Sequence, residues 1–118
     1  MYGLESDVDL KFLLGRRVEQ IAVGEFQFVL NLDGGITWSI ESTLTLESSG
    51  VSSSVSADSH SSCAPLLQLV GEVITHVAHQ GRGDVKITFS NSISVTVHDS
   101  NESAESYQLS GGPDEIVV

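Results

Sequence analysis

The chain has 118 residues, the size of one domain, and 40% of them are hydrophobic, which excludes an intrinsically disordered chain. Sixteen acidic residues against five basic ones give a formal net charge of −11 with histidine neutral. Because such a charge repels phosphate groups, nucleic acid and anionic membranes are excluded as expected partners.

The first predicted elements are a helical turn over residues 9–14, ended by Gly15, and a strand over residues 17–23. In this strand Val18 and Ile21 are three positions apart, a spacing that cannot place both on one face of a regular strand. The pattern therefore predicts either a β-bulge between them or a later start of the strand.

Two strands joined by a three-residue loop follow. Apolar residues alternate with mostly polar ones over residues 26–32 and again over residues 36–41, and Asp33-Gly34-Gly35 separates the two runs. The pattern predicts a hairpin with one apolar face. The predicted core includes most of the large aromatic residues, namely Phe12, Phe26, Phe28, Trp38 and Phe89.

Half of the residues from 47 to 64 are serine, and this composition predicts a mobile linker. Beyond it the first pattern returns, with a helical turn ending at Gly71, a strand over residues 73–79 and a second hairpin. In that hairpin residues 90–92 form the loop, with Asn91 as the residue that tolerates a left-handed backbone. Two short strands, over residues 104–109 and 115–118, complete the chain.

The two halves are predicted to be a duplicated unit. Residues 13–21 align with residues 69–77 at an offset of 56, and residues 28–40 align with residues 85–97 at an offset of 57. We therefore expect one domain over residues 1–118, with repeat one at about 9–46, the Ser-rich loop at 47–64 and repeat two at about 65–118. The fold class is mainly β, a small β-sandwich or partly open barrel of two antiparallel three-stranded meanders related by a pseudo-twofold axis.

Candidate chemical sites are weak. His76 and His79, three apart on a strand, point to opposite faces, and His98, Asp99 and Glu102 lack the spacing of a calcium loop. No nucleophile motif is present, and Cys63 has no fixed base beside it in sequence. We expect no metal, no cofactor and no enzymatic activity.

The location is also an expectation from sequence. The single cysteine excludes an internal disulfide, the N-terminal residues lack the pattern of a signal peptide, and no apolar run is long enough to span a membrane. These features are typical of a cytoplasmic protein.

The chain resembles an uncharacterised bacterial family of small proteins, a domain of unknown function. The resemblance runs from about Leu13 to the C-terminus and is carried by residues 14–18, 30–35, 40–42, 69–71, the hairpin at Phe89, and residues 105–109. It implies a single-domain β-protein without an established enzymatic role. Small acidic proteins of this kind are often immunity proteins encoded beside toxins, so the resemblance also implies an immunity-protein-like role.

The leading functional hypothesis is a non-catalytic protein-binding module, an immunity protein that neutralises a basic toxin domain through an acidic surface. The candidate partner-binding residues are Glu41, Glu47, Asp58, Asp84, Asp99, Glu102 and Glu105. Two alternatives remain open at this point. One is a small barrel that binds an apolar ligand, and the other is a homo-oligomeric structural module joined through edge strands, with a homodimer as the simplest form.

Overall fold

Two antiparallel sheets of five strands each enclose the hydrophobic core in the computed structural model, which describes residues 9–56, 59–81, 83–99, 107–113 and 116–118. In these ranges the strands are β1 (Val18–Val23), β2 (Phe28–Leu32), β3 (Thr37–Ile40), β4 (Thr43–Ser48), β5 (Val51–Ser56), β6 (Ile74–Gln80), β7 (Asp84–Phe89), β8 (Ser94–Val97), β9 (Tyr107–Ser110) and β10 (Ile116–Val117). The predicted mainly β, sandwich-like architecture is confirmed.

The two repeats exchange hairpins. One sheet has the strand order β1-β2-β3-β9-β10, and the other has the order β5-β4-β8-β7-β6. The hairpin β4–β5 extends repeat one from its predicted end near residue 46 to residue 56. Each sheet then consists of the meander of one repeat and a two-stranded hairpin supplied by the other repeat. The hairpin β4–β5 pairs with β8 of repeat two, whereas β9–β10 pairs with β3 of repeat one.

Strand register follows the pseudo-twofold axis. Leu30 lies opposite Trp38 in the first meander, and Ile87 lies opposite Val95 in the second, as the offset of 57 requires. A register shift after Val18 in β1 has its counterpart after Ile74 in β6, at the offset of 56. The β-bulge, one of the two alternatives predicted from the odd apolar spacing, is therefore present in both repeats.

The meanders also meet near the axis through reciprocal hydrogen bonds. The Gly15 amide donates to the Ile74 carbonyl at 2.9 Å, and the Gly71 amide donates to the Val18 carbonyl at 2.8 Å. The two bonds are related by the repeat offset of 56: residue 15 corresponds to residue 71, and residue 18 corresponds to residue 74. The two repeats thus form a continuous contact at the starts of β1 and β6.

Short 3₁₀ helices precede each meander, over Lys11–Leu13 and His60–Leu69, and the second also runs against β5. Leu13, Leu66 and Leu69 are buried in the core. The first helix lies within the helical turn predicted over residues 9–14. The second covers all but the last residue of the turn predicted over residues 65–70, and it begins inside the predicted Ser-rich linker. In the described residues no helix has the length and apolar character needed to cross a membrane.

The prediction of a mobile linker over residues 47–64 is wrong for most of its length. The end of β4, all of β5 and the start of the second 3₁₀ helix occupy it, and residues 57 and 58 lie outside the described residues. In this hairpin Leu44, Leu46 and Val55 point into the core, while serine and threonine alternate with them. A strand needs only every second side chain to be apolar, so serine on its outer positions is compatible with pairing.

Two further predictions from sequence need correction. Phe26 is 71% exposed, because it lies in the connection before β2 rather than on the strand, whereas Phe28, Trp38 and Phe89 are buried as expected. In the second hairpin loop the left-handed residue is Ser92, with a φ of 70°, and not Asn91. Asn91 accepts the Ile93 amide proton through its side chain instead.

Candidate functional site at the crossover end

Both repeats cross from one sheet to the other at the same end of the sandwich, which we call the crossover end. Residues 41–42 connect β3 to β4 there, and His98 follows directly after β8. The Ser42 hydroxyl donates to the His98 carbonyl at 2.6 Å, and the His98 amide donates to the Thr43 carbonyl at 3.1 Å. The first crossover and the start of the second therefore lie side by side.

Thr45, His98 and Asp84 form a chain of hydrogen-bonded side chains at this end. Thr45 Oγ1 lies 2.8 Å from His98 Nε2, and His98 Nδ1 lies 2.9 Å from Asp84 Oδ2. Because an ionised carboxylate can only accept, Nδ1 carries the proton that bonds to Asp84. In the neutral imidazole Nε2 is then the acceptor for the Thr45 hydroxyl.

Strand alternation and register explain this arrangement. Thr45 lies between the buried Leu44 and Leu46, so its side chain is on the outer face of β4. Asp84 is the first residue of β7. Because the next residue, Val85, pairs with Val97, Asp84 lies opposite His98 at the open end of the β7–β8 hairpin, away from its loop. Pairing of β4 with β8 then brings the Thr45 hydroxyl to the imidazole.

The Asp84 carboxylate is held from a second direction. Its Oδ1 accepts the Asp99 backbone amide proton at 2.8 Å. Gly83, next to Asp84, has a φ of 101°, and a Cβ at this position would lie 2.5 Å from Asp99 Oδ2. The close approach of the two segments therefore requires glycine here.

Tyr107 lies near Asp84 and Asp99, but it belongs to β9 in the other sheet. Its hydroxyl donates to the Gly83 carbonyl at 2.8 Å, and its ring packs edge-to-face on Trp38 with centroids 5.8 Å apart. Burial, followed by the negative charges of Asp99 and Asp84, raises the pKa of Tyr107 far above its ordinary value. The phenol is therefore neutral and remains a hydrogen-bond donor.

Of the predicted partner-binding residues, the fold brings Asp84 and Asp99 into direct contact. Glu41 is exposed in the first crossover, beside Ser42, and Glu47 is exposed on β4, two positions from Thr45. The other three predicted residues lie outside the described residues; they are Asp58, Glu102 and Glu105.

The sequence motifs indicate no role for Thr45 or Tyr107, and they place His98 only in a group that lacks the spacing of a calcium loop. A signal was available in the internal repeat, because the offset of 57 places His98 over Glu41 and Asp84 over Gln27. Positions where the repeats carry such different chemistry are candidates for function rather than for folding. The contact between Thr45 and His98 could not be predicted from the sequence, because it depends on the pairing of β4 with β8 from the other repeat.

The other candidate residues from the sequence, the histidines and Cys63, show fewer features of a functional site. Over the described ranges, no three histidine, cysteine or acidic side chains gather closely enough to hold a metal ion. His76 is exposed, and its ring contacts the neighbouring Thr75 hydroxyl at 3.1 Å. Cys63 is 4% exposed, and burial raises the pKa of its thiol, partly offset by a hydrogen bond from Ser62. A raised pKa reduces the fraction of reactive thiolate.

Comparison with known proteins places this architecture in a family. The model of DUF6188, a family of unknown function, matches residues 10–118. The chain belongs to the DUF6188 family. The match spans both repeats of this DUF6188 chain, including Asp84 and His98. No curated protein and no solved structure matches the chain.

Proposed function

We propose that this DUF6188 chain is a protein-binding module that captures a basic partner through the crossover end. In its most concrete form the module is an immunity protein that neutralises a basic toxin domain. The observation that carries the proposal is the convergence of Asp84 and Asp99 at one end of the sandwich, with the exposed Glu41 in the adjoining crossover.

The distribution of basic residues supports the same direction of approach. Lys11, Arg16 and Arg17 precede β1, whose first residue pairs with the last residue of β2, at the end opposite the crossovers. Lys86 lies on β7, and Arg82 lies outside the described residues. A molecule of net charge −11 with its N-terminal basic residues at the far end would orient a basic partner toward the crossover end.

Long-range attraction of this kind acts mainly on the rate of association and is screened by salt. Glu41 is the best residue for a test, because it is exposed in the first crossover and its replacement should leave the core unchanged. Glu47 is also exposed, but it pairs with Ser94 toward the end of β4 that is away from the crossovers, so it is left unchanged. The Glu41→Lys substitution reduces the negative charge where the partner is expected to approach.

The experiment has two stages. The purified chain is first used to recover a basic protein in stoichiometric amount from the native cell, and the association rate with that protein is then measured at low and high salt. We expect the Glu41→Lys variant to associate more slowly than the wild type at low salt, with the difference shrinking as salt rises.

The matched control is Glu19→Lys, at an exposed position next to Val18, at the end of β1 opposite the crossovers. This control has the same net charge as the test variant. If both variants slow association equally, only net charge matters and the proposed surface is wrong. Association that is insensitive to salt and to both changes would contradict electrostatic capture altogether.

A further inference from the structure

We propose that Thr45 is a nucleophile that accepts the acyl group of a small ester, with His98 as its general base and Asp84 as the residue that orients the imidazole. This activity goes beyond partner binding and does not depend on it. It also departs from the expectation, based on sequence motifs, that the chain is not an enzyme.

The geometry matches the requirements for activating a hydroxyl. A nucleophile needs a base within about 2.6 to 3.2 Å, and the base needs a third group that sets its tautomer and orientation. Thr45 Oγ1 lies 2.8 Å from His98 Nε2, and Nδ1 of the same ring lies 2.9 Å from Asp84. The Asp99 amide fixes the carboxylate in turn at 2.8 Å.

An acyl donor can reach this chain of groups from solvent. The His98 and Asp84 side chains are 30% and 32% exposed, and Thr45 is half-buried on the outer face of its sheet. The imidazole is therefore held in place by neighbours without being sealed in the core. Such partial exposure allows a proton to leave the ring for the leaving group or for water.

The internal repeat shows that the fold does not need this arrangement. Repeat one places Gln27 at the position of Asp84 and Glu41 at the position of His98, and strand pairing makes Gln108 the equivalent of Thr45. Those residues form the corresponding crossover without an imidazole. A purely architectural role for the hydroxyl, imidazole and carboxylate would be expected at both equivalent places.

The chemical steps balance without any further reactant except water. Thr45 Oγ1 forms a bond to the acyl carbon as its proton moves to His98 Nε2, and the ester C–O bond breaks. The leaving alcohol takes that proton from the imidazole. In the second step water forms a bond to the acyl carbon as its proton moves to His98 Nε2, and the bond between Thr45 Oγ1 and the acyl carbon breaks. The imidazole returns the proton to Oγ1, which restores the hydroxyl and releases the carboxylic acid.

The test uses p-nitrophenyl acetate as the acyl donor, with the full chain. Nitrophenolate release gives the rate, and peptide mass spectrometry of the quenched protein locates the acetyl group. We expect acetylation of Thr45 in the wild type, and its loss in Thr45→Val, which keeps the shape but removes the hydroxyl. In His98→Gln we expect Thr45 acetylation to slow by about 100-fold, the contribution typical of a general base.

Thr96 is the internal control, because it lies opposite Thr45 on the same outer face but on β8. Thr45→Ser retains a hydroxyl and should still be acetylated at residue 45. Each variant is compared with the wild type by circular dichroism so that unfolded protein is not assayed. Equal acetylation of Thr45 and Thr96, acetylation confined to His98, or an unchanged rate in a folded His98→Gln variant would each overturn the proposal.

Discussion

Tyr107 connects the two sheets at the level of a single residue. Its strand belongs to the first sheet, while its hydroxyl bonds to Gly83, next to the first residue of β7 in the second sheet. The ring is buried against Trp38, and the nearest charges are two carboxylates. Ionising this phenol in the folded protein is therefore unfavourable, and its pKa is raised.

Stability should consequently fall in alkaline solution. A raised pKa in the folded state means that its contribution to stability is complete below the ordinary tyrosine pKa, about 10, and is lost as pH rises above that value. We expect the free energy of unfolding, measured with urea, to be lower at about pH 11 than at about pH 9, with the decrease setting in near pH 10. In Tyr107→Phe this decrease should be smaller, although the variant loses about 1 kcal/mol at neutral pH with its hydrogen bond. Equal slopes for the two proteins would contradict this account of Tyr107.

At the scale of elements, the turn between β9 and β10 packs closely against the turn between β2 and β3. Gly111 follows β9, has a φ of 89°, and approaches the Gly35 carbonyl oxygen so closely that a Cβ would overlap it. Gly50 occupies the turn between β4 and β5 with a φ of 81°, and a Cβ there would meet no heavy atom within 4 Å. The two positions share a backbone conformation and differ in their surroundings.

Substitution of each glycine by alanine separates the cost of the left-handed backbone from the cost of a steric clash. Gly50→Ala should cost about 1 kcal/mol, the strain of a left-handed L-residue. Gly111→Ala should cost about 3 kcal/mol, because the backbone of residue 35 must also move. Thermal or urea unfolding of both variants measures the difference. Equal losses would show that the contact between the β9–β10 and β2–β3 turns is not tight.

Strands and bulges were predictable from the sequence because they depend on local spacing. Alternation over residues 26–32 and the three-residue interval from Val18 to Ile21 each reflect contacts within one hairpin. The β4–β5 hairpin was not predictable, since its partner β8 lies in the other repeat and the outer positions of β5 are serine. For the same reason charge alone identified Asp84 and Asp99, while the bond from Thr45 to His98 could not be foreseen.

At the scale of the whole molecule, the exchange of hairpins makes each sheet a product of both repeats. Residues 9–56 contain the meander of one sheet and the hairpin that completes the other, and the second repeat has the converse composition. Each repeat alone would leave the apolar faces of its meander and hairpin without their partners. Folding of the two repeats should therefore be coupled.

Splitting the chain between residues 57 and 58 tests this coupling. We expect neither peptide to fold as a monomer, and we expect the mixture to form a one-to-one complex with the β-sheet spectrum of the intact chain. Circular dichroism and sedimentation equilibrium measure these two properties. A monomeric half with a cooperative thermal transition would contradict the exchange.

The bond network at His98 is the most direct point at which to test the whole account, because it exists only if β4 of repeat one pairs with β8 of repeat two. Nitrogen NMR of the histidine rings, at a pH where the imidazoles are neutral, reports which ring nitrogen carries the proton. We predict that His98 is protonated at Nδ1 and that Thr45→Val shifts its Nε2 resonance, whereas the exposed His76 is unaffected by the substitution. A His98 ring with both tautomers in free exchange, unaffected by Thr45→Val, would contradict the account.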